Sequence, residues 1–163
     1  MKYITKPTYL ELSEMIFKMK SKKLEISKEL GIVASFGDLR ENAEFEATKD
    51  YQNLFLQRLY RLERILGDVR ILNRDDINTT IASIGTVLTI KRNNEAILKY
   101  ALLDSIEQEL GLWVGDFKYA SIESPFTKSI IGNKIGDEIT LPNGTNAEVI
   151  IIKSIFDYGR RNE

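Results

Sequence analysis

Three carboxylates, Asp38, Glu41 and Glu44, stand within seven positions of one another in the run Gly37-Asp38-Leu39-Arg40-Glu41-Asn42-Ala43-Glu44-Phe45. Such a cluster offers hard oxygen donors. Mg2+ typically takes one or two carboxylates and completes its shell with water and substrate phosphate oxygens. The same spacing also has an ordinary structural reading. An Asp at a helix N-cap accepts from an early backbone N–H, and a Glu three residues on reaches back to the cap. The two readings are compatible, because a carboxylate that caps a helix keeps lone pairs for a cation.

The rest of the chain narrows the chemistry. Cys and His are both absent, which removes disulfides, thiolate and imidazole ligands, and the Ser-His-Asp and Cys-His nucleophile systems. Carboxylate, Lys, Tyr and hydroxyl groups remain. With 23 Lys and Arg against 24 Asp and Glu, the net charge is −1, so the chain lacks the basic excess of a free-standing DNA coat. Any nucleic-acid contact must be local. A chain of 163 residues with 43% hydrophobic residues, 29% charged residues and 3 Pro is expected to be ordered and soluble, as one domain or two small ones. The start, Met1-Lys2-Tyr3-Ile4-Thr5-Lys6-Pro7, carries no apolar secretory core. No apolar run approaches the roughly 18 residues of a membrane span. A cytoplasmic protein with no membrane partner is expected.

The elements that position the acids follow from periodicity. Tyr9, Leu12, Ile16, Met19, Lys23, Ile26, Leu30 and Val33 recur at alternating steps of three and four, a coiled-coil seam breached only by Lys23. The rhythm resumes after the acidic run with Phe45, Thr48, Gln52, Phe55, Leu59, Leu62, Leu66 and Val69, flanked by Ala47, Tyr51 and Leu54. Only Ala34-Ser35-Phe36-Gly37 separates the two segments, so they must form an antiparallel helical hairpin with its turn beside Asp38. Some 25 residues per helix would project about 40 Å. A two-helix hairpin buries little surface, which leaves room for a third helix or a second copy to cover it. The sequence itself assigns no oligomeric state. Lys18, Lys20, Lys22, Lys23 and Lys28 read as a solvated helix face.

Beyond Asn73-Arg74-Asp75-Asp76 the period shortens. Runs at Thr86 to Ile90, Ala96 to Leu103, Asp137 to Leu141 and Ala147 to Ile155 read as strands, separated by turn signals at Asn93-Asn94 and Pro142-Asn143-Gly144. The expected division is a helical domain over residues 1–76 with its acidic tip near 37–45, an antiparallel β-domain over 78–158 with a short helix near Ser129 to Ile131, and a frayed tail at 159–163. Trp113, Phe117 and Tyr119 read as core packing in the second half.

Two motifs carry a resemblance to a known family. GDLRENAEF at 37–45 resembles the tip signature G-D-[LI]-[KR]-E-N-A-E-[YF] of the Gre transcript-cleavage (elongation) factors of bacterial RNA polymerase. The stretch from Ser124 to Asp137, SPFTKSIIGNKIGD, is similar to that family's S-P-[LIF]-[AGT]-[KR]-[AGS]-[LI]-[LI]-G-x-x-x-G-D. The resemblance implies an α+β protein: an N-terminal antiparallel two-helix coiled-coil hairpin followed by an FKBP-like antiparallel β-domain with a short helix. It also implies that the β-domain docks on the rim of the polymerase secondary channel through the region of Ser124 and Pro125.

The hairpin would then enter that channel and meet the 3′ end of nascent RNA in a backtracked complex. Asp38 and Glu41 take the positions of the two catalytic acids, which help hold a shared Mg2+ in the polymerase complex and position the attacking water. No metal is expected in the isolated protein, and the chain is not expected to be an enzyme by itself. Arg40, Asn42, Glu44 and Phe45 would support the tip, and Lys49 is a candidate RNA contact. Two departures mark this sequence: Phe45 replaces the usual Tyr, and Ala34 and Phe36 stand where relatives often carry basic residues. The thinner basic patch suggests a GreA-like rather than GreB-like member. The rival readings are a non-catalytic channel binder that modulates or inhibits polymerase, and an FKBP-like isomerase or chaperone.

Overall fold

The computed structural model describes residues 1–35, 39–93 and 96–161, with the side chains at 39–41 outside that description. The chain divides into two compact units, Tyr9–Asp68 and the combination of Met1–Thr8 with Val69–Glu163. This differs from the expected boundary at residue 76. The second helix ends at Gly67, and the next residues leave the helical stripe to pair with the N-terminal strand.

In the helical unit, α1 (Lys6–Ala34) and α2 (Leu39–Gly67) each run for 29 residues, about 43 Å of helix. They are antiparallel. Lys20 pairs with Glu63 at 2.7 Å, the Lys23 ammonium lies 5.6 Å from the Tyr60 ring centroid, and Gln52 donates to Ser27 at 3.4 Å. Every position of both expected stripes is buried or half-buried, with Leu12, Ile16, Ile26, Leu59 and Leu62 forming the buried part. The breach at Lys23 is thus absorbed by a cation–π contact. The flanking Ala47, Tyr51 and Leu54 are exposed, so the seam is narrow.

The other unit contains, in chain order, β1 (Lys2–Thr5), β2 (Val69–Leu72), β3 (Thr86–Arg92), β4 (Ile97–Leu103), α3 (Ser105–Leu110), β5 (Trp113–Val114), β6 (Lys118–Ser121), α4 (Pro125–Ile130), β7 (Glu138–Thr140), β8 (Asn146–Ser154) and β9 (Gly159–Arg160). β1 and β2 pair in parallel, and five strands form one sheet in the order β6-β4-β3-β8-β7. The sheet is mixed, which corrects the antiparallel expectation. β4 and β6 run parallel, because the intervening segment 104–117, with α3 in it, provides the crossover that parallel neighbours require. Pro142-Asn143-Gly144 makes the expected tight turn between β7 and β8. The Gly144 N–H donates to the Leu141 carbonyl at 2.8 Å, and Gly144 takes the left-handed conformation at φ +80°.

Apolar clusters lie on both faces of the sheet. Leu88, Ile90, Leu102, Val149, Ile139 and Ile130 build one, with Tyr100 and Phe126 packed against it. Val87, Ala101, Leu103, Trp113 and Ile155 build the other, with Phe117 and Tyr119 alongside. The aromatics are core residues, as their size suggests. The expected fraying from residue 159 is not seen over the described part of the tail. Gly159–Arg160 pairs with Trp113–Val114, and the Arg161 N–H donates to the Leu112 carbonyl at 2.7 Å.

One buried acid ties the start of α1 to this unit. Glu107 of α3 is fully buried; it accepts from the Thr5 backbone N–H and from the Thr8 hydroxyl, both at 2.5 Å. Thr5 Oγ1 in turn accepts from Trp113 Nε1 at 3.2 Å and donates to Thr8 at 3.0 Å. Burial pushes the Glu107 carboxyl up from its ordinary 4.5, while the bonds from Thr5 and Thr8 pull the other way. Beside it, Lys2 reaches Asp104 at 3.0 Å, and Asp104 caps α3 by accepting from the Ile106 N–H.

Candidate functional site

The hairpin turn is set by where each helix stops. α1 ends at Ala34; the Ser35 N–H and hydroxyl both turn back to the Ile32 carbonyl, at 3.0 and 2.6 Å, satisfying a group the helix end would otherwise leave open. α2 begins at Leu39. Asp38 therefore directly precedes the first helical residue, and Glu41 is the third residue of α2. Asp38 itself lies outside the described residues, as do the side chains of Arg40 and Glu41. Their placement is known by chain position alone.

Chain position is still informative. Counting back along α2 from the half-buried Thr48 and Phe45, the three-and-four rhythm of the seam passes through positions 41 and 38. Glu44 falls off that line. The helix start adds free backbone N–H groups and the positive end of the helix dipole, where anionic side chains are favoured. Asn42, Glu44 and Lys49 are exposed. Phe45 is half-buried on the seam, which matches a packing role for the ring that replaces Tyr. Lys49 follows it by one turn. Among the described residues, which omit Asp38 and the Glu41 side chain, no three Asp or Glu residues gather into a metal-holding group.

The second motif forms α4. The Ser124 hydroxyl caps this helix, accepting from the Thr127 N–H at 3.2 Å and donating to Thr127 Oγ1 at 3.1 Å. Pro125 fills the first helical position, where its missing N–H costs nothing, and is exposed. Phe126 turns inward onto Tyr100, with ring centroids 4.5 Å apart. Ser124 thus has a structural task of its own, and Pro125 is the more available of the two for a partner. The sequence reading named neither Ile131 nor Ile135 as a site residue, yet both are exposed, at 45% and 58%. Their signal was present in the motif, as isoleucines on either side of Gly132 and its turn. The tip and α4 belong to different units.

Comparison with known proteins gives a consistent result. The family described as transcription elongation factor, N-terminal, matches residues 2–71. Transcription elongation factor GreA of Acetivibrio thermocellus is 33% identical over 128 residues, covering 76% of this chain and 76% of that protein. GreA of Staphylococcus saprophyticus is 34% identical over 134 residues, covering 80% and 81%. Among solved structures, GreA factor homolog 1 of Thermus thermophilus is 21% identical, covers 94% of this chain and 99% of that one, and superposes with a TM-score of 0.43.

Proposed function

The chain belongs to the GreA family of transcription elongation factors, and from that premise we propose that it enters the secondary channel of bacterial RNA polymerase and stimulates cleavage of backtracked nascent RNA. The observation that carries this reading is the start of α2 at Leu39, so that in the sequence Asp38 immediately precedes the helix and Glu41 is its third residue. Two acids at that point in the chain are the groups offered to a partner. Among the described residues, no other three acids gather into a group that could hold a metal.

The donor set fits Mg2+ as part of a shell. Two carboxylates match the number this ion takes from protein, with water, phosphate oxygens and the polymerase's own acids to complete it. When bound there, the ion would supply Lewis acidity and an activated water. Asp38 and Glu41 orient that water toward the scissile phosphate. Arg40 pairs with a phosphate oxygen, and Lys49 neutralises charge on the extruded RNA. Phe45, half-buried on the seam, packs the start of α2 against its partner helix. Pro125, with Ile131 and Ile135, offers an apolar surface for docking on the channel rim. The protein supplies groups to another enzyme's active centre and cleaves nothing alone.

Purified bacterial polymerase halted in a backtracked complex provides the test. Adding this protein with Mg2+ shortens the RNA from its 3′ end and restores elongation. Slowed transcription with RNA of unchanged length would instead identify a channel blocker and refute cleavage.

A further inference from the structure

The seam of α1 leaves the opposite side of the helix uncovered, and that side carries a second repeating stripe. Leu10, Phe17, Leu24 and Ile32 are 58%, 71%, 66% and 60% exposed. At 3.6 residues per turn they lie along one line about 33 Å long. Glu14, Ser21 and Lys28 fall on the same line between them, and all three are exposed. The full series 10, 14, 17, 21, 24, 28, 32 steps by three and four like the seam itself. It alternates large apolar residues with an acid, a hydroxyl and a base. A continuous exposed apolar line of this kind marks an interaction surface.

We propose that this face of α1 is a self-association surface, occupied by α1 of a second copy of this chain in antiparallel register. The argument is self-complementarity. In a two-fold interface, residue i meets j and j meets i. An axis through position 21 sets Leu10 against Ile32, Glu14 against Lys28, and Phe17 within one position of Leu24. Lys18, which already pairs with Glu14 of its own helix at 2.6 Å, comes within one position of Glu25, so the two chains' charges form one network. Only Ser21 meets its own copy, and that position requires a small neutral residue. Its hydroxyl is already turned to the Phe17 carbonyl at 3.4 Å. On the flank toward α2, Lys20 is held by Glu63 at 2.7 Å. Parallel pairing would place Glu14 on Glu14 and Lys28 on Lys28, so like charges exclude it.

Resting on the proposed function, the consequence is that self-association competes with binding to polymerase, and the monomer is the form that acts. Self-association then sets how much protein is available to polymerase.

Sedimentation equilibrium on the full chain, without polymerase, tests the proposal, with circular dichroism to show that each variant keeps its helices. The wild type associates reversibly to a dimer. Phe17→Ser weakens the dimer at least about tenfold, and Glu14→Lys or Lys28→Glu alone weakens it similarly. Mixing Glu14→Lys with Lys28→Glu restores association, because each copy then presents the charge the other lacks. A wild type that stays monomeric up to about 1 mM overturns the proposal. So does a dimer indifferent to Phe17→Ser, or single variants that do not recover on mixing. Because the assay contains no polymerase, its failure leaves the cleavage reading standing, and failure of cleavage leaves the dimer standing.

Discussion

In the helical unit, Leu12, Ile16, Ile26, Leu59 and Leu62 are the buried apolar residues among those described, whereas the β-rich unit has apolar clusters on both faces of a five-stranded sheet. The hairpin is held chiefly by hydrogen bonds within each helix and by one narrow seam. The sheet unit is held by contacts distant in sequence. The larger core and the candidate acids therefore belong to different units: the β-rich unit carries no candidate catalytic group, and positions 38 and 41 fall within Tyr9–Asp68.

That division can be broken experimentally. Leu88→Ala, in the centre of the sheet, should cost about 3 kcal/mol, because rigid strands on each side leave the cavity open. Leu59→Ala in the seam should cost somewhat less, about 2 kcal/mol, because two helices can close over the gap. The single Trp, Trp113, is buried in the β-rich unit and reports on it by fluorescence, while far-UV circular dichroism follows the helices. Leu88→Ala should move the fluorescence transition in urea. Leu59→Ala should move the dichroism transition and leave fluorescence nearly in place. Equal movement of both signals by Leu59→Ala would mean that the two units unfold as one.

Glu107 holds Thr5 and Thr8 within the β-rich unit. Glu107→Ala strands the Thr5 N–H and the Thr8 hydroxyl in a buried site and should cost about 2 kcal/mol. Glu107→Gln, which can still bond both, should cost less. The pH dependence follows from the raised native pKa. A carboxyl that holds its proton more tightly folded than unfolded contributes stability that is fully present below 4.5, and this is lost as pH rises through the elevated native value. Urea midpoints measured across that window should therefore fall with rising pH in the wild type. In Glu107→Gln this component should be absent. The smallest effect on stability belongs to the tip, where Asp38→Asn and Glu41→Gln should change the unfolding free energy from urea titration by no more than about a few tenths of a kcal/mol each.

The periodicity of the hairpin was readable because burial in a two-helix seam depends on local spacing. Eight positions on the first helix, including the breach at Lys23, and seven on the second could be named from their steps, while Val69, the last of the second stripe, begins β2. The strands were harder to read. β3 and β8 announce themselves by β-branched runs and β4 by its apolar residues, but β1 and β2 are four residues each and gain their identity only by pairing with each other. The direction of β6 relative to β4 leaves no trace in alternation, since a strand looks the same from either end. Glu107 sits in Ser105-Ile106-Glu107-Gln108-Glu109, a stretch that reads as an ordinary exposed turn of helix. Its burial depends on Thr5 and Thr8 arriving from far along the chain. The acidic tip was legible for the opposite reason: a motif of nine adjacent residues needs no tertiary contact to be recognised.

The central claim is that Asp38 and Glu41 serve as catalytic acids in a partner's active centre. It is tested most directly by cleavage of backtracked RNA with the Asp38→Asn/Glu41→Gln double variant at saturating concentration, with binding to polymerase measured in parallel. The account predicts undiminished binding and cleavage reduced by at least about a hundredfold. Cleavage at the wild-type rate by a bound double variant would contradict it.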